Sequence, residues 1–198
     1  MKKNKNIIGI GGVAGAGKDL LFNLVSKSVS VKRFSLADEL KEEVRQWCLD
    51  NYGIDSVKCS RQDKEIIRPF LVFHGTQKRD QTQGRYWVEK LHKKIQQDNA
   101  ENIIITDIRY DDYEKDEVHW LKNEIGGKLI HLRQYEAIPD SNEGALIRHY
   151  KMGINSEESR NDPKLREKAD VRIEWPHLSS YDENALLQEI SSVTCLFK

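Results

Sequence analysis

Long apolar runs are absent from this 198-residue chain: the longest mostly apolar stretch, Ile7 to Gly17, falls far short of the ~20 residues a membrane span requires. An excess of either charge is absent too, with 32 Lys+Arg against 32 Asp+Glu, so no stable nucleic-acid binding is expected. Cysteine is scarce. Cys48, Cys59 and Cys195 are odd in number and lack CxxC spacing, which fits a reducing cytoplasm better than a disulfide framework. The 6 histidines are scattered, and no pair has zinc-ligand spacing. There are 4 prolines, no internal repeat and no low-complexity segment. The basic start, MKKNKN, runs into a glycine-rich segment without a small-residue cleavage site, so no signal peptide is expected. The charged fraction of 32% points to a soluble protein.

What is present has the rhythm of one α/β domain over residues 1–198. Five short apolar runs read as buried parallel strands: Ile7–Ile10, Val29–Phe34, Ile103–Thr106, Leu129–Leu132 and Val171–Trp175. Helical spacing recurs between and after them. Leu40, Val44, Trp47 and Cys48 share a face, as do Trp87, Leu91 and Ile95, then Val118, Leu121 and Ile125, and finally Leu186, Ile190 and Val193. This alternation predicts a parallel sheet with helices on both faces. Residues 35–102 contain no convincing strand and read as a helical insert, with a loop over Gly53–Ser60. A polar stretch, Tyr135–Asp170, holds Pro139, Gly144, Gly153, Asn155 and Pro163, and between strands four and five it reads as a mobile lid.

The strongest signal is Gly12-Val13-Ala14-Gly15-Ala16-Gly17-Lys18-Asp19, between the first strand and a helix expected at Leu20–Ser26. It fits the phosphate-loop pattern except at its last position, where Asp19 replaces Ser or Thr. Glycines let backbone N–H groups turn inward around phosphate oxygens. The following helix adds partial positive charge, and Lys18 can reach the β- and γ-phosphates of ATP. The spacing is not GxGxxG, and a dinucleotide-binding turn has no use for Lys18. Asp19 has two readings: a carboxylate ligand for Mg²⁺, or a cap for the helix that follows.

The third strand ends in Thr106-Asp107-Ile108-Arg109, at the sheet edge where ligands gather. Asp107 reads as a second Mg²⁺ or water-holding carboxylate, or as a plain turn-former. Arg109 can grip an acceptor phosphate bidentately. Arg68, Lys78, Arg79 and Arg85 crowd the helical insert around His74-Gly75-Thr76. Arg133, Arg148, Lys151 and Arg160 lie on or near the lid-like stretch, and spacing alone does not say which enters the site.

With these motifs the chain resembles the phage-type deoxynucleoside monophosphate kinases, a branch of the P-loop nucleotide kinases. The resemblance extends, with gaps, from Ile7 to about Ile190. It rests on GAGKD with its Asp19, on FSLADELK at Phe34–Lys41, on Arg68 followed by HGT at His74–Thr76 and RYWVEKL at Arg85–Leu91, and on Asp107-Ile108-Arg109 with acidic residues to Glu117. LIHLR at Leu129–Arg133, INSEES at Ile154–Ser159 and ADVRIEW at Ala169–Trp175 complete it. The resemblance implies a P-loop nucleotide kinase fold: a five-stranded parallel sheet of order 2-3-1-4-5, a helical acceptor-binding insert and a lid. It implies that Gly12–Asp19 hold ATP and that Ala37, Asp38, Arg68, Gly75, Thr76, Trp87 and Asp107 face the acceptor nucleotide. Lys18, Arg109 and Arg133 would be catalytic, and Asp19 and Asp107 would hold Mg²⁺. The substrates would be small nucleotides, the location cytoplasmic (a host's, if the gene is phage-borne), and a homodimer stays open. Leu20 stands where the family commonly has Thr, and the insert is short for the family. Dephospho-coenzyme A and phosphomevalonate kinases share parts of the pattern, and a nucleotide-binding module without catalysis is a further alternative.

Overall fold

The computed structural model describes residues 5–139, 146–177, 186 and 190–197. The sheet is built around β1 (Asn6–Gly11), which pairs in parallel with β3 (Asn102–Ile108) on one side and β4 (Lys128–Pro139) on the other. β2 (Lys32–Phe34) adds to β3, and β6 (Val171–Pro176) adds to β4, both in parallel. The parallel strands therefore stand in the order β2-β3-β1-β4-β6. Counted within that parallel set, this is the expected order 2-3-1-4-5.

Alternation along the strands sends side chains to two separate cores. Ile8, Ile10, Ile104, Ile130 and Leu132 meet Leu21, Leu24 and Val25 of α1 (Lys18–Ser26) on one face. Ile7, Ile103, Ile105 and Leu129 meet Val88, Leu91 and Ile95 of α4 (Arg85–Gln97) on the other. Each such fully buried aliphatic side chain contributes roughly 1.5–3 kcal/mol, which makes the central strands the most firmly held part of the chain. α2 (Leu36–Tyr52) and α3 (Arg61–Gln81) enclose a smaller third core around Val44, Cys48, Ile67 and Leu71. The chain turns between α2 and α3 over the expected loop, where Gly53 closes α2 in the left-handed conformation. α5 (Glu117–His119) continues as a wider π turn over Trp120–Glu124, carrying the face predicted from Val118 and Leu121.

Three expectations need correction. The second strand is shorter than Val29–Phe34, because Val29 and Val31 pack against the α1-side core before β2 begins. The fourth strand does not stop at Leu132 but runs on to Pro139, where β5 (Leu146–Tyr150) joins it antiparallel, Tyr135 opposite Tyr150. The lid-like stretch thus contains strands. Its ladder is tied by the Tyr135–Tyr150 ring pair, and by Arg133 over Tyr150 and Arg148 over Tyr135. Cation–aromatic contacts leave no apolar alternation to read. The same stretch holds α6 (Ser156–Lys168), where only Asn161 and Leu165 are buried. α6 is docked by polar contacts: Arg160 and Lys164 on Asp112, Asp162 on His131, Arg166 on Glu174 and Lys168 on Asp111. A helix held this way has no hydrophobic period.

The end of the chain packs Leu186, Ile190, Val193 and Phe197 into the α1-side core, with a short α7 at Ser191–Thr194. The predicted helix there includes residues 187–189, which lie outside the described residues, as do Gly144 of the lid-like stretch and the first four residues of the basic start. Among the described residues no helix is long and apolar enough to cross a membrane.

Candidate active site

The phosphate loop emerges from the buried end of β1 and leads straight into α1. Gly12 has φ 130°, and a Cβ there would stand 2.3 Å from the Leu132 carbonyl oxygen. Gly17 has φ 96°, and a Cβ there would stand 2.6 Å from the Trp175 ring. Only glycine allows the loop to lie this close to β4 and β6. Trp175 is fully buried, and its indole N–H donates to the Ala16 carbonyl at 2.9 Å. Sequence patterning marks Trp175 as a strand residue. Its role as the loop's floor carries no sequence signal.

Lys18 curls back over the loop and donates to the carbonyl oxygens of Gly12 at 2.7 Å and Val13 at 2.8 Å. Burial, and then the Arg109 guanidinium, push its pKa down to about 8, against the pull of Glu158, Asp107 and Asp19. These five charged side chains therefore share one neighbourhood. An anion entering it would restore the ammonium that burial disfavours.

Asp107 is buried at the end of β3 and spends its carboxylate on α2. One oxygen accepts from Leu36 N–H at 2.8 Å, the other from Ala37 N–H at 2.7 Å and the Ser35 hydroxyl at 2.8 Å. Asp107 thus caps α2 from another strand, and Ala37 belongs to that cap. Asp38 is occupied by Arg33 at 2.7 Å and Lys41 at 2.9 Å. Asp19, in the first turn of α1, keeps an open carboxylate (79% exposed) with Arg33 at 3.5 Å. Hard carboxylate oxygens beside a phosphate loop suit Mg²⁺, which takes its other ligands from phosphate and water. Asp19 has free lone pairs for direct contact; Asp107 fits better through water.

Arg109 leaves β3 toward the loop mouth, 42% exposed, with Nη1 3.7 Å from a Glu158 carboxylate oxygen. Its backbone is fixed by Glu117, which accepts from Arg109 N–H at 2.7 Å and Tyr110 N–H at 3.1 Å. Burial pushes the Glu117 carboxyl up to about 8, with Arg79 pulling it back and Asp116 adding to the rise. Arg79 of α3 reaches across to Asp116 through two bonds of 2.9 Å and lies over the Tyr110 ring at 3.7 Å. In the sequence Arg79 is one cation of a cluster; its burial (7% exposed) follows from Asp116 and Glu117, which only the fold brings to it.

This knot walls a cavity of about 240 Å³. α3 contributes Thr76, Arg79 and Asp80, the turn after β3 contributes Tyr110, Asp112 and Tyr113, and α6 contributes Glu157 and Arg160. The Tyr110 hydroxyl donates to Glu157 at 3.2 Å, and these two wall residues are the chain neighbours of Arg109 and Glu158. A larger groove of about 670 Å³, lined in part by Gln83, Arg85 and Lys115, shares no residue with the phosphate loop. Of the other candidate acceptor residues, Gly75 packs against Leu40 and offers its carbonyl to the buried Trp87 indole at 3.1 Å. Trp87 thereby holds α4 to α3. Arg68 pairs with Glu65 on the surface of α3.

The lid-side cations are separated by the fold. Arg133 lies over Tyr150, with its Nε buried and without a hydrogen-bond partner. Arg148 joins Tyr135 and Glu174, and Arg160 joins Asp112. Lys151 reaches the phosphate loop, with its ammonium 3.4 Å from the Gly15 carbonyl.

No protein-family model matches the chain, and no curated protein sequence matches it. Solved structures similar to it include a shikimate kinase from Aquifex aeolicus, at 15% identity over 96% of this chain and 95% of that one, TM-score 0.43. A shikimate kinase from Acinetobacter baumannii is similar at 13% identity over 98% and 94%, TM-score 0.44. A dephospho-CoA kinase from Campylobacter jejuni is similar at 14% identity over 98% of both chains, TM-score 0.44. At these identities and TM-scores the likeness transfers no activity to this chain.

Proposed function

We propose that this chain is a P-loop phosphotransferase that moves the γ-phosphoryl group of ATP to a deoxynucleoside monophosphate. The observation that carries the proposal is the phosphate loop itself. Its glycines take the positive-φ conformations a cradle requires, its lysine is folded over it, and the chain neighbours of Arg109 and Glu158 line a polar cavity. The loop N–H groups, the start of α1 and Lys18 would hold the donor phosphates. Arg109, beside Glu158 and next in the chain to Tyr110 of the cavity wall, would grip the acceptor phosphate. An acceptor phosphate oxygen attacks the γ-phosphorus, and the bond to the departing ADP oxygen breaks. An acceptor that is already a phosphate needs no strong base, so positioning and charge neutralisation do most of the work. Mg²⁺ bound by Asp19, with Asp107 behind it through water, would neutralise charge on the donor phosphates. Lys151, whose ammonium lies 3.4 Å from the Gly15 carbonyl, would be the lid-side cation that meets the transferring group, and Arg133, over Tyr150, would steady the β4–β5 ladder.

The acceptor class rests on the motif resemblance together with the polar, two-tyrosine lining of the cavity. The test is ATP and Mg²⁺ with a panel of deoxynucleoside monophosphates, dephospho-coenzyme A and phosphomevalonate, followed by ADP release. Turnover of at least one deoxynucleoside monophosphate is expected. Activity confined to one of the last two would replace the acceptor, and ADP release with none of them would remove the catalytic assignment.

A further inference from the structure

α6 opens on Asn155, whose side-chain oxygen accepts from Glu158 N–H at 2.9 Å. In such a start the carboxylate three residues on turns back to a nearby backbone N–H. Glu158 does this with Ile154 N–H at 3.2 Å. The same oxygen also accepts from Ala14 N–H of the phosphate loop, again at 3.2 Å, a contact 144 residues away that helix capping does not require. The other oxygen faces Arg109 at 3.7 Å, and the side chain is only 12% exposed. Lys18 feels the same negative charge. One carboxylate thus rests on a loop N–H, beside the loop lysine and the acceptor-side arginine, which are the groups a transferring phosphate would need.

We propose that Glu158 is an internal stand-in for a phosphate oxygen: its carboxylate holds the Ala14 N–H until a nucleotide phosphate takes that N–H and displaces it. The inference rests on the phosphate-loop assignment above. One N–H cannot satisfy two anions at full strength, and two negative groups in contact in a partly dehydrated site repel. The displaced carboxylate keeps its bond to Ile154, so the movement is confined to the first turn of α6. That turn also carries Glu157, bonded to Tyr110 on the cavity wall. Donor binding is thereby felt where the acceptor would sit, and Glu158 acts as a positioning residue whose charge opposes nucleotide affinity.

The test is calorimetric titration of the full chain with ADP and, separately, with inorganic pyrophosphate, for the parent and for Glu158→Gln. Glutamine keeps the length and can still accept from Ile154 N–H but removes the charge. Both probes should bind about tenfold more tightly to Glu158→Gln, the scale of one charged hydrogen bond. Equal or weaker binding of both by a folded variant overturns the inference, since removing the charge that holds the Ala14 N–H must ease its capture by a phosphate oxygen. If neither parent nor variant binds either probe, the phosphate-loop assignment itself falls. A thermal melt checks folding. Should Glu158→Gln not fold, Glu158→Asp, too short to reach Ala14, must show tighter binding than the parent or the inference is refuted.

Discussion

In the proposed function Lys18 holds the donor phosphates, and its environment sets a pH signature. Burial and Arg109 bring its folded pKa from 10.5 to about 8. Between those values the unfolded chain holds a proton that the folded chain lacks, so this group makes the protein more stable as pH rises from about 8 toward 10.5. A bound phosphate reverses the shift and draws the proton back onto the amine. ADP binding at pH ~8.5 should therefore take up protons, measured as a dependence of the calorimetric heat on buffer ionisation enthalpy. Lys18→Met should show no such uptake and no turnover. Uptake that persists in Lys18→Met would assign the proton to another group. At the neighbouring position, Asp19→Asn should leave the melting temperature nearly unchanged, because the carboxylate is exposed and its ion pair with Arg33 is long, at 3.5 Å. It should raise the Mg²⁺ concentration for half-maximal rate. A titration identical to the parent's would take Asp19 out of the metal site.

Two helices are fastened to the site by buried carboxylates from outside themselves. Asp107 does for α2 what an N-cap side chain usually does from within, with Ser35 at the cap position donating to it. Asp107→Ala strands two N–H groups and a hydroxyl, and should cost about 2 kcal/mol by chemical denaturation. Asp107→Asn keeps an acceptor and should cost less. If Asp107→Ala melts like the parent, the cap contributes nothing. α3 is fastened by Arg79 to the fully buried Asp116, which also accepts from Asp112 N–H at 2.9 Å and from Glu117 N–H at 2.9 Å. Arg79→Met leaves that charge without its partner and should cost roughly 3–5 kcal/mol. Adding Asp116→Asn should recover part of the loss, because the amide no longer buries a charge. A double variant no more stable than the single one would mean that the packing of Arg79 on Tyr110, rather than its charge, holds α3.

At the scale of the whole molecule, the loop, the cavity and α6 meet on one edge of the sheet, and their stabilities differ. The strands below are clamped between two aliphatic cores. α6 above adds only Leu165 to those cores and is otherwise held by ion pairs and hydrogen bonds. Exposed pairs are weakened by salt, and apolar burial is not. Raising the ionic strength should accelerate amide exchange in α6 while leaving β1 and β3 protected, as measured by hydrogen exchange with mass spectrometry. If the loop binds nucleotide as proposed, linkage acts on the entire fold: ADP at about 100 times its dissociation constant would add about 2.7 kcal/mol. For a chain of this size that raises the melting temperature by roughly 5–10 °C. Adenosine, which has no phosphate for the loop, should give much less, and an equal shift would place the nucleotide elsewhere.

The sequence alone determined the parallel sheet and the phosphate loop, because both write themselves into short stretches. Ile7–Ile10, Ile103–Thr106 and Leu129–Leu132 are apolar on both faces, which only strands covered on two sides require. The loop is fixed by glycines and a lysine at set spacing. The helices of the insert were legible for the same reason, since Val44 and Cys48, or Trp87, Leu91 and Ile95, repeat with the helical turn. The resemblance to a kinase family supplied a strand order that the pairing of β1, β3, β4 and β6 matches. What the tertiary structure decided was every assignment that depends on polar partners far apart in sequence. The β4–β5 ladder, the docking of α6, the cap that Asp107 places on α2, the burial of Arg79 and the seat of Glu158 on Ala14 N–H all join residues from separate elements. A charged side chain looks the same in sequence whether it is solvated or paired, because hydrogen bonding, unlike apolar burial, imposes no period on the chain. Only the fold separates these cations. It brings Lys151 to the Gly15 carbonyl, lays Arg133 over Tyr150, pairs Arg148 with Glu174, and sets Arg160 on Asp112 at the cavity wall.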